Sequence, residues 1–338
     1  MASSTDVYVF GDRSTPVLDK LQALLRVKDN ALLTSFLGEA FLAVRREIVS
    51  LSSIERKSIP EAESLSLLLE GVRKSEPHAA LDSTFVCIYE IGYYIDYLGR
   101  SDKQHPSSLP SFLLGICTGS IAAAAVSCAK DVFEISKLGV EAATVAFRMG
   151  LHVRRRAENL GYSTPLSWSM ILSSNQEELV SVSLQEFSKD KSLTSSTRPY
   201  ISAIGPGFTT ISGPPSILES LKALDSFSGK RLYPAPIYGP YHNSLAYSES
   251  SLEHALTSIL EDVEFLKNKM LVPIISCTSG SRLDQFSFGG LLKNVLSNTL
   301  SQQIHIDLIT DTLLKTVFNT NTTLILVNTQ MIVSNLTN

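Results

Sequence analysis

Phe112-Leu-Leu-Gly-Ile-Cys-Thr-Gly-Ser-Ile-Ala-Ala-Ala-Ala-Val126 is the stretch that decides the fold. A short apolar strand meets a Gly-x-Cys-x-Gly turn and passes straight into an alanine-rich helix. Alanine favours helix, and its small side chain lets a helix lie close to a sheet. The pattern is that of a nucleophile elbow, a strand-to-helix turn tight enough to need glycine on both sides. Such a turn holds Cys117 at the mouth of a sheet. It also leaves the next backbone N–H, that of Thr118, at a helix N-terminus, where it can bind an oxyanion. A helix N-terminus favours the thiolate, which is the nucleophilic form. The competing reading of Cys117 is a small buried core residue. Cys87, Cys128 and Cys277 lack the elbow context and read as core.

Outward from the elbow the chain alternates strand and helix. Residues 7–10 form a first strand; residues 18–25, 31–49 and 84–98 carry helical spacing, and 131–156 a long helix. After Gly161 the texture changes. Strands at 166–172, around Gly205-Pro206-Gly207 and at 231–237, with helices at 175–187 and 215–224, give β-α-β-β-α-β order, the ferredoxin-like pattern. The expected architecture is α/β: an α/β-hydrolase-like large subdomain from residues 1–160 plus 238–338, with a ferredoxin-like small subdomain, 161–237, inserted in it. A helix at 252–267, a strand at 272–277 and a last strand near 323–327 complete the large part.

Composition narrows the function. The 338 residues are 44% hydrophobic and 18% charged, and 29 basic residues face 33 acidic ones. No broad cationic field for nucleic acid is present. No apolar run approaches the roughly 20 residues that span a bilayer. The first ten residues do not form a secretory signal, and the four cysteines show no C-x-x-C pairing, so a reducing, cytoplasmic setting without structural zinc or disulfides is expected. Gly205-Pro-Gly207 does not open a helix and is no dinucleotide fingerprint.

A thiol nucleophile needs a base, most often histidine. His78, His105, His254 and His305 lie in surroundings that point to the surface, and His152 follows a helix beside Arg154–Arg156. His242 differs: it sits in Tyr238-Gly-Pro-Tyr-His-Asn-Ser244, where the insert returns to the main subdomain.

Elbow, insert and return-loop histidine, in that order, resemble the malonyl/acyl-carrier-protein transacylase fold. With Val7-Tyr-Val-Phe-Gly-Asp12, Phe147-Arg148-Met-Gly150 and Tyr241-His242-Asn243-Ser244, the chain is similar to a fungal starter-unit:acyl-carrier-protein transacylase (SAT) domain of a non-reducing polyketide synthase, over about residues 7 to 280. The resemblance implies transfer through a Cys117 acyl-enzyme with His242 as base. It implies an oxyanion hole from the N–H of Thr118 and a backbone N–H at Asp12 or Arg13, and a backbone carbonyl within Ser276–Ser279 to orient His242. Ile116, Arg148 and Asn243 are the substrate-pocket candidates. Arg13 stands where relatives carry glutamine. Ile116 stands where malonyl-specific relatives carry histidine, which favours a neutral starter and a structural Arg148. No bound cofactor or metal is implied; phosphopantetheine arrives on donor and acceptor. The implied partners are an acyl carrier protein, acyl-CoA or an upstream synthase, and downstream domains of the same synthase, with Arg154–Arg156 either a contact for an acidic carrier or a solvated helix end. A cysteine-elbow hydrolase would need an acidic triad member, and none of Asp131, Glu134, Glu141 or Asp225 fits one; a non-catalytic docking module of the same fold is the other alternative.

Overall fold

The computed structural model describes residues 4–11, 16–101, 103–106, 111–162, 166–173, 177–227, 229–316 and 321–328. In chain order the elements are β1 (Ser4–Phe10), α1 (Leu18–Leu24), α2 (Ala31–Ser50), α3 (Ser53–Arg56), α4 (Leu65–Arg73), α5 (Ala79–Arg100), β2 (Ser111–Gly115), α6 (Gly119–Cys128) and α7 (Val132–Asn159). The second stretch runs β3 (Ser169–Leu172), α8 (Glu177–Asp190), β4 (Tyr200–Gly205), β5 (Phe208–Ser212), α9 (Pro215–Lys222) and β6 (Leu232–Ala235). The chain closes with α10 (Glu249–Ile259), β7 (Ile274–Ile275), β8 (Arg282–Leu283), α11 (Phe288–Ser301), β9 (Ile304–His305), α12 (Ile306–Thr316) and β10 (Asn321–Leu326).

Alternation along β1 sorts the large subdomain into layers. Tyr8 and Phe10 face a core built with α1, α2, α5, α6 and α7. Val7 and Val9, pointing the other way, join a smaller core with Leu114, Ile116 and α12. That is the two-faced burial expected of a strand in a parallel sheet covered on both sides. The sheet order is β10-β1-β2-β7-β8; β10, β1, β2 and β7 are parallel and the edge strand β8 is antiparallel. All ten residues of α6 are buried. Ala122–Ala125 make this possible, since larger side chains would push the helix off the sheet.

The second sheet has the order β6-β3-β5-β4-β9. Its first four strands are antiparallel neighbours in the order of a ferredoxin-like unit, with α8 and α9 packed on one face over Met170, Leu172 and Ile211. The fifth strand, β9, comes from the C-terminal part of the chain and pairs parallel to β4. A two-residue strand carries no periodicity, so the sequence reading did not include it. The expected helix over 252–267 ends at Ile259: Asp262 and Phe265 take positive φ, which a helix cannot continue through. Among the described residues, no helix is long and apolar enough to cross a membrane.

Candidate active site

The elbow forms at the carboxyl end of β2, where open α/β sheets place their ligands. Cys117 adopts φ +53°, a left-handed conformation that a non-glycine residue holds only when its surroundings impose it. The flanking glycines are needed for space. A Cβ on Gly115 would lie 2.7 Å from the Ser120 nitrogen, and one on Gly119 would lie 2.8 Å from the Phe10 carbonyl oxygen and closer still to that of Gly11. Ser120 Oγ donates to the Gly115 carbonyl at 2.7 Å and staples the turn shut. Among the described residues no group accepts a bond from the N–H of Thr118, the residue that precedes α6 as its N-cap.

His242 meets Cys117 across 125 residues: Nε2 lies 3.1 Å from Sγ. Both side chains are buried. His242 Nδ1 lies 2.7 Å from the Gln302 carbonyl oxygen, which can only accept, so Nδ1 carries the proton and Nε2 presents a lone pair to the thiol. His242 also sits in the left-handed region, φ +55°. What holds it there is the C-terminal turn of α11. The N–H of His242 donates to the Thr299 carbonyl and that of Asn243 to the Leu300 carbonyl, each at 2.9 Å. These carbonyls belong to the last turn of a helix and have no partner within it, so the return loop satisfies them while taking its own shape from them. The Thr299 hydroxyl reaches the Cys117 carbonyl at 3.4 Å, tying the elbow and the His242 loop to the same helix end.

Several expectations are corrected. The carbonyl that orients His242 belongs to Gln302, not to Ser276–Ser279; the Cys277 carbonyl instead accepts the His305 N–H of β9. Arg148 is turned to α2, where Nε and Nη2 grip the two oxygens of Glu47 at 2.9 and 2.8 Å while Nη1 bonds the Glu261 carbonyl. Its guanidinium is thereby committed away from the elbow. Asn243 supports the loop: its Oδ1 accepts the N–H groups of Leu245 and Ala246 at 3.0 and 3.1 Å. Ile116 is fully buried in the same apolar cluster as Cys117. Asp12 and Arg13 lie outside the described residues. Arg154 pairs with Glu158 and Arg155 with Glu55, and Arg156 reaches the Ala246 carbonyl and stacks over Tyr247. The run therefore braces α7 and the return loop. His78 is buried rather than superficial, and His105 is half-buried between the Tyr94 hydroxyl and the Ala129 carbonyl. His152 is half-buried as well, packed against the Tyr247 ring.

Burial raises the thiols of Cys87 and Cys277 well above or above their ordinary range, and pushes that of Cys128 up to about 12. These three stay protonated and unreactive near neutral pH. Tyr200, Thr299 and Gln302 are site residues that sequence reasoning missed. Tyr200 donates its hydroxyl to the Tyr241 carbonyl at 2.7 Å, fixing the loop from the second sheet. Among the described residues, no group of three or more His, Cys, Asp and Glu side chains is placed to hold a metal ion.

Comparison with known proteins identifies the family and the fold. Residues 8–242 match the family described as the starter unit:ACP transacylase in aflatoxin biosynthesis. The chain is 83% identical over 336 residues to the bikaverin polyketide synthase of Gibberella fujikuroi, covering 99% of this chain and 16% of that protein. It is 38% identical over 330 residues to a non-reducing polyketide synthase of Aspergillus oryzae, covering 92% of this chain and again 16% of the relative. The chain thus spans about one-sixth of the length of these relatives. Among solved structures, the acyl-carrier-protein S-malonyltransferase of Burkholderia pseudomallei superposes with TM-score 0.67 at 14% identity, over 98% of this chain and 92% of that one. The loading acyltransferase of the avermectin modular polyketide synthase gives TM-score 0.63 at 18% identity, over 96% and 86%. The fold is the acyltransferase fold, and this chain belongs to the starter unit:ACP transacylase family, whose role is starter-unit acyl transfer.

Proposed function

We propose that the chain loads a starter acyl group from a thioester donor onto the phosphopantetheine thiol of an acyl carrier protein through a Cys117 acyl-enzyme. The observation that carries this reading is the 3.1 Å contact between His242 Nε2 and Cys117 Sγ, with Nδ1 anchored on the Gln302 carbonyl. Sγ attacks the thioester carbonyl while Nε2 takes its proton. The bond from the acyl carbon to the donor sulfur breaks, and the departing thiolate takes the proton back from Nε2. The carrier thiol then gives its proton to Nε2 and attacks the acyl carbon, and Cys117 leaves and is reprotonated. The negative charge on the carbonyl oxygen is met by the Thr118 N–H and a backbone N–H of Asp12 or Arg13.

Charge at the base follows from α11. The imidazolium formed in each half-reaction lies against the carbonyl of Gln302, which caps the negative end of a fourteen-residue helix, while the carbonyls of Thr299 and Leu300 hold the backbone of the return loop. That end favours a positive charge by about 0.3–2 kcal/mol and does the work a triad carboxylate does elsewhere. In this reading residues 1–160 plus 238–338 carry the chemistry and 161–237 form the inserted subdomain. The donor is acyl-CoA or a partner synthase, the setting is the cytoplasm, and the group carried is held on pantetheine supplied by donor and acceptor.

The test is intact-mass spectrometry of wild type and Cys117→Ala with a panel of acyl-CoA donors, before and after adding a phosphopantetheinylated carrier protein. An adduct on wild type alone, followed by acyl-carrier product, is the expected result. Adducts that decay to free acid with the carrier untouched would make the chain a hydrolase. A folded wild type that forms no adduct across the panel would make it a docking module.

A further inference from the structure

Of the three cysteines outside the chemistry, Cys277 lies against the elbow. β2 and β7 run parallel with Leu114 opposite Ile275. Side chains two apart on a strand share a face, so Ile116 and Cys277 follow them into the same apolar cluster, which also holds Cys117. The Cys277 side chain is buried there, and its carbonyl accepts the His305 N–H of β9 at 2.9 Å. The thiol has two polar neighbours, both in the elbow. Ser120 Oγ lies 3.9 Å from Cys277 Sγ. The one proton of the Ser120 hydroxyl is donated to the Gly115 carbonyl at 2.7 Å, so the contact with Cys277 runs the other way, from S–H to Ser120 Oγ. The sulfur lone pairs then face the backbone N–H of Cys117.

We infer that Cys277 is a positioning residue for the nucleophile: its thiol, donating to Ser120 Oγ and accepting from the Cys117 N–H, holds the turn that aims Cys117 Sγ at His242 Nε2. The inference rests on the acyl-transfer reading above and adds to it a side chain that never touches substrate. Cys117 sits at φ +53°, a conformation that persists only where the surroundings over-determine it. Cys277 contacts both the residue held in that conformation and the serine that closes the turn behind it. Burial keeps the Cys277 thiol protonated, which is the form that donates, so it serves as a hydrogen-bonding group and not as a second nucleophile. Packing alone would set a different requirement at this position. Serine keeps both polar functions and loses bulk, whereas valine keeps bulk and loses both functions.

The experiment measures single-turnover acylation of Cys117 by intact mass, over a range of concentrations of acetyl-, butyryl-, hexanoyl- and octanoyl-CoA. The proteins are wild type, Cys277→Ser, Cys277→Val and Cys277→Ala, with a thermal melt of each. Removing the thiol takes a partner from two polar groups of a buried turn, so the maximal rate in Cys277→Val is expected to fall about tenfold at an unchanged half-saturating concentration. Cys277→Ser is expected to stay within about threefold of wild type, at a melting temperature no higher than that of Cys277→Val. Should Cys277→Val fail to fold, Cys277→Ala removes the same two contacts, and its maximal rate is expected to fall about tenfold as well. Cys277→Ser slowed as far as the apolar variants, or apolar variants acylated at the wild-type rate, overturns the inference and leaves the transferase reading standing. A folded wild type that forms no adduct with any donor overturns that reading first, and the inference with it.

Discussion

Gly119→Ala perturbs the elbow at its tightest point. The added Cβ would sit 2.8 Å from both the carbonyl carbon and the oxygen of Phe10, and nearer still to the Gly11 carbonyl oxygen. All of these are backbone atoms at the end of β1 and cannot rotate away. Restoring an ordinary contact needs a shift of about 0.6 Å relative to Phe10 and more relative to Gly11, so the start of α6 must move by about 1 Å; a displacement of that size costs about 100-fold in rate. The overpacking itself costs about 1–3 kcal/mol, small enough for a chain of this size to stay folded. The control is Gly38→Ala in α2, where an added Cβ meets nothing within 4 Å and helix propensity favours alanine by about 0.5–1 kcal/mol. The assay is the rate of acyl-enzyme formation by intact mass, with a melt to confirm folding. The expected outcome is a folded Gly119→Ala protein acylated about 100-fold more slowly and a Gly38→Ala protein acylated at the wild-type rate. A Gly119→Ala protein acylated within threefold of wild type would refute the claim that close approach of α6 to β1 builds the oxyanion site.

Thiol chemistry gives a second check. With its pKa pushed up to about 12 by burial, Cys128 is about one part in ten thousand thiolate at pH 8, and burial raises Cys87 and Cys277 in the same direction. Brief iodoacetamide treatment of the native chain is expected to add one label, lost in Cys117→Ala, and four in denaturant; two equally fast native labels would contradict the assignment. His152 supplies a pH dependence. Burial first, then Arg156, Arg155 and His254, lowers its pKa, so the unfolded chain binds the proton more tightly. Its contribution to stability is therefore complete above the unfolded value near 6.5 and is lost as pH falls through it. The melting temperature of His152→Gln should drop less between pH 7.5 and 5.5 than that of wild type, and equal drops would sink the argument. Arg148→Ala removes a two-pronged ion pair with Glu47 in which both side chains are about one-fifth exposed. A loss of about 1–3 kcal/mol in urea unfolding is expected, with acylation by neutral donors unchanged; lost acylation at unchanged stability would return Arg148 to the site.

Much of the fold was legible because it is written in local patterns. The apolar run of β2, the two glycines and the alanine helix specify the elbow within fifteen residues, and Cys117 with it. The β-α-β-β-α-β order was legible for the same reason, since period-two and period-3.6 patterns follow one another with turn residues between. His242 stood out through its Gly-Pro loop and through the resemblance. The supports around it did not. Gln302 and Thr299 act on His242 through backbone carbonyls, which every residue owns, so no side-chain type marks them. The partners of Arg148 and Arg154–Arg156 could not be read, because a cation has the same sequence signature whether it faces a substrate, solvent or a carboxylate on another helix. β9, two residues long, lies below the length at which alternation can be seen.

The sequence by itself determined the local geometry of the elbow at Cys117 and the ferredoxin-like order of the insert, because these depend on propensity, size and spacing between near neighbours. Only the tertiary structure decided which carbonyl holds His242, where Arg148 is committed, and that β9 joins the sheet of the insert by pairing Ile304 with Ala203. Those contacts link residues separated by 60 and 101 positions. They are set by how the two sheets and the end of α11 pack against one another, and no single segment encodes that.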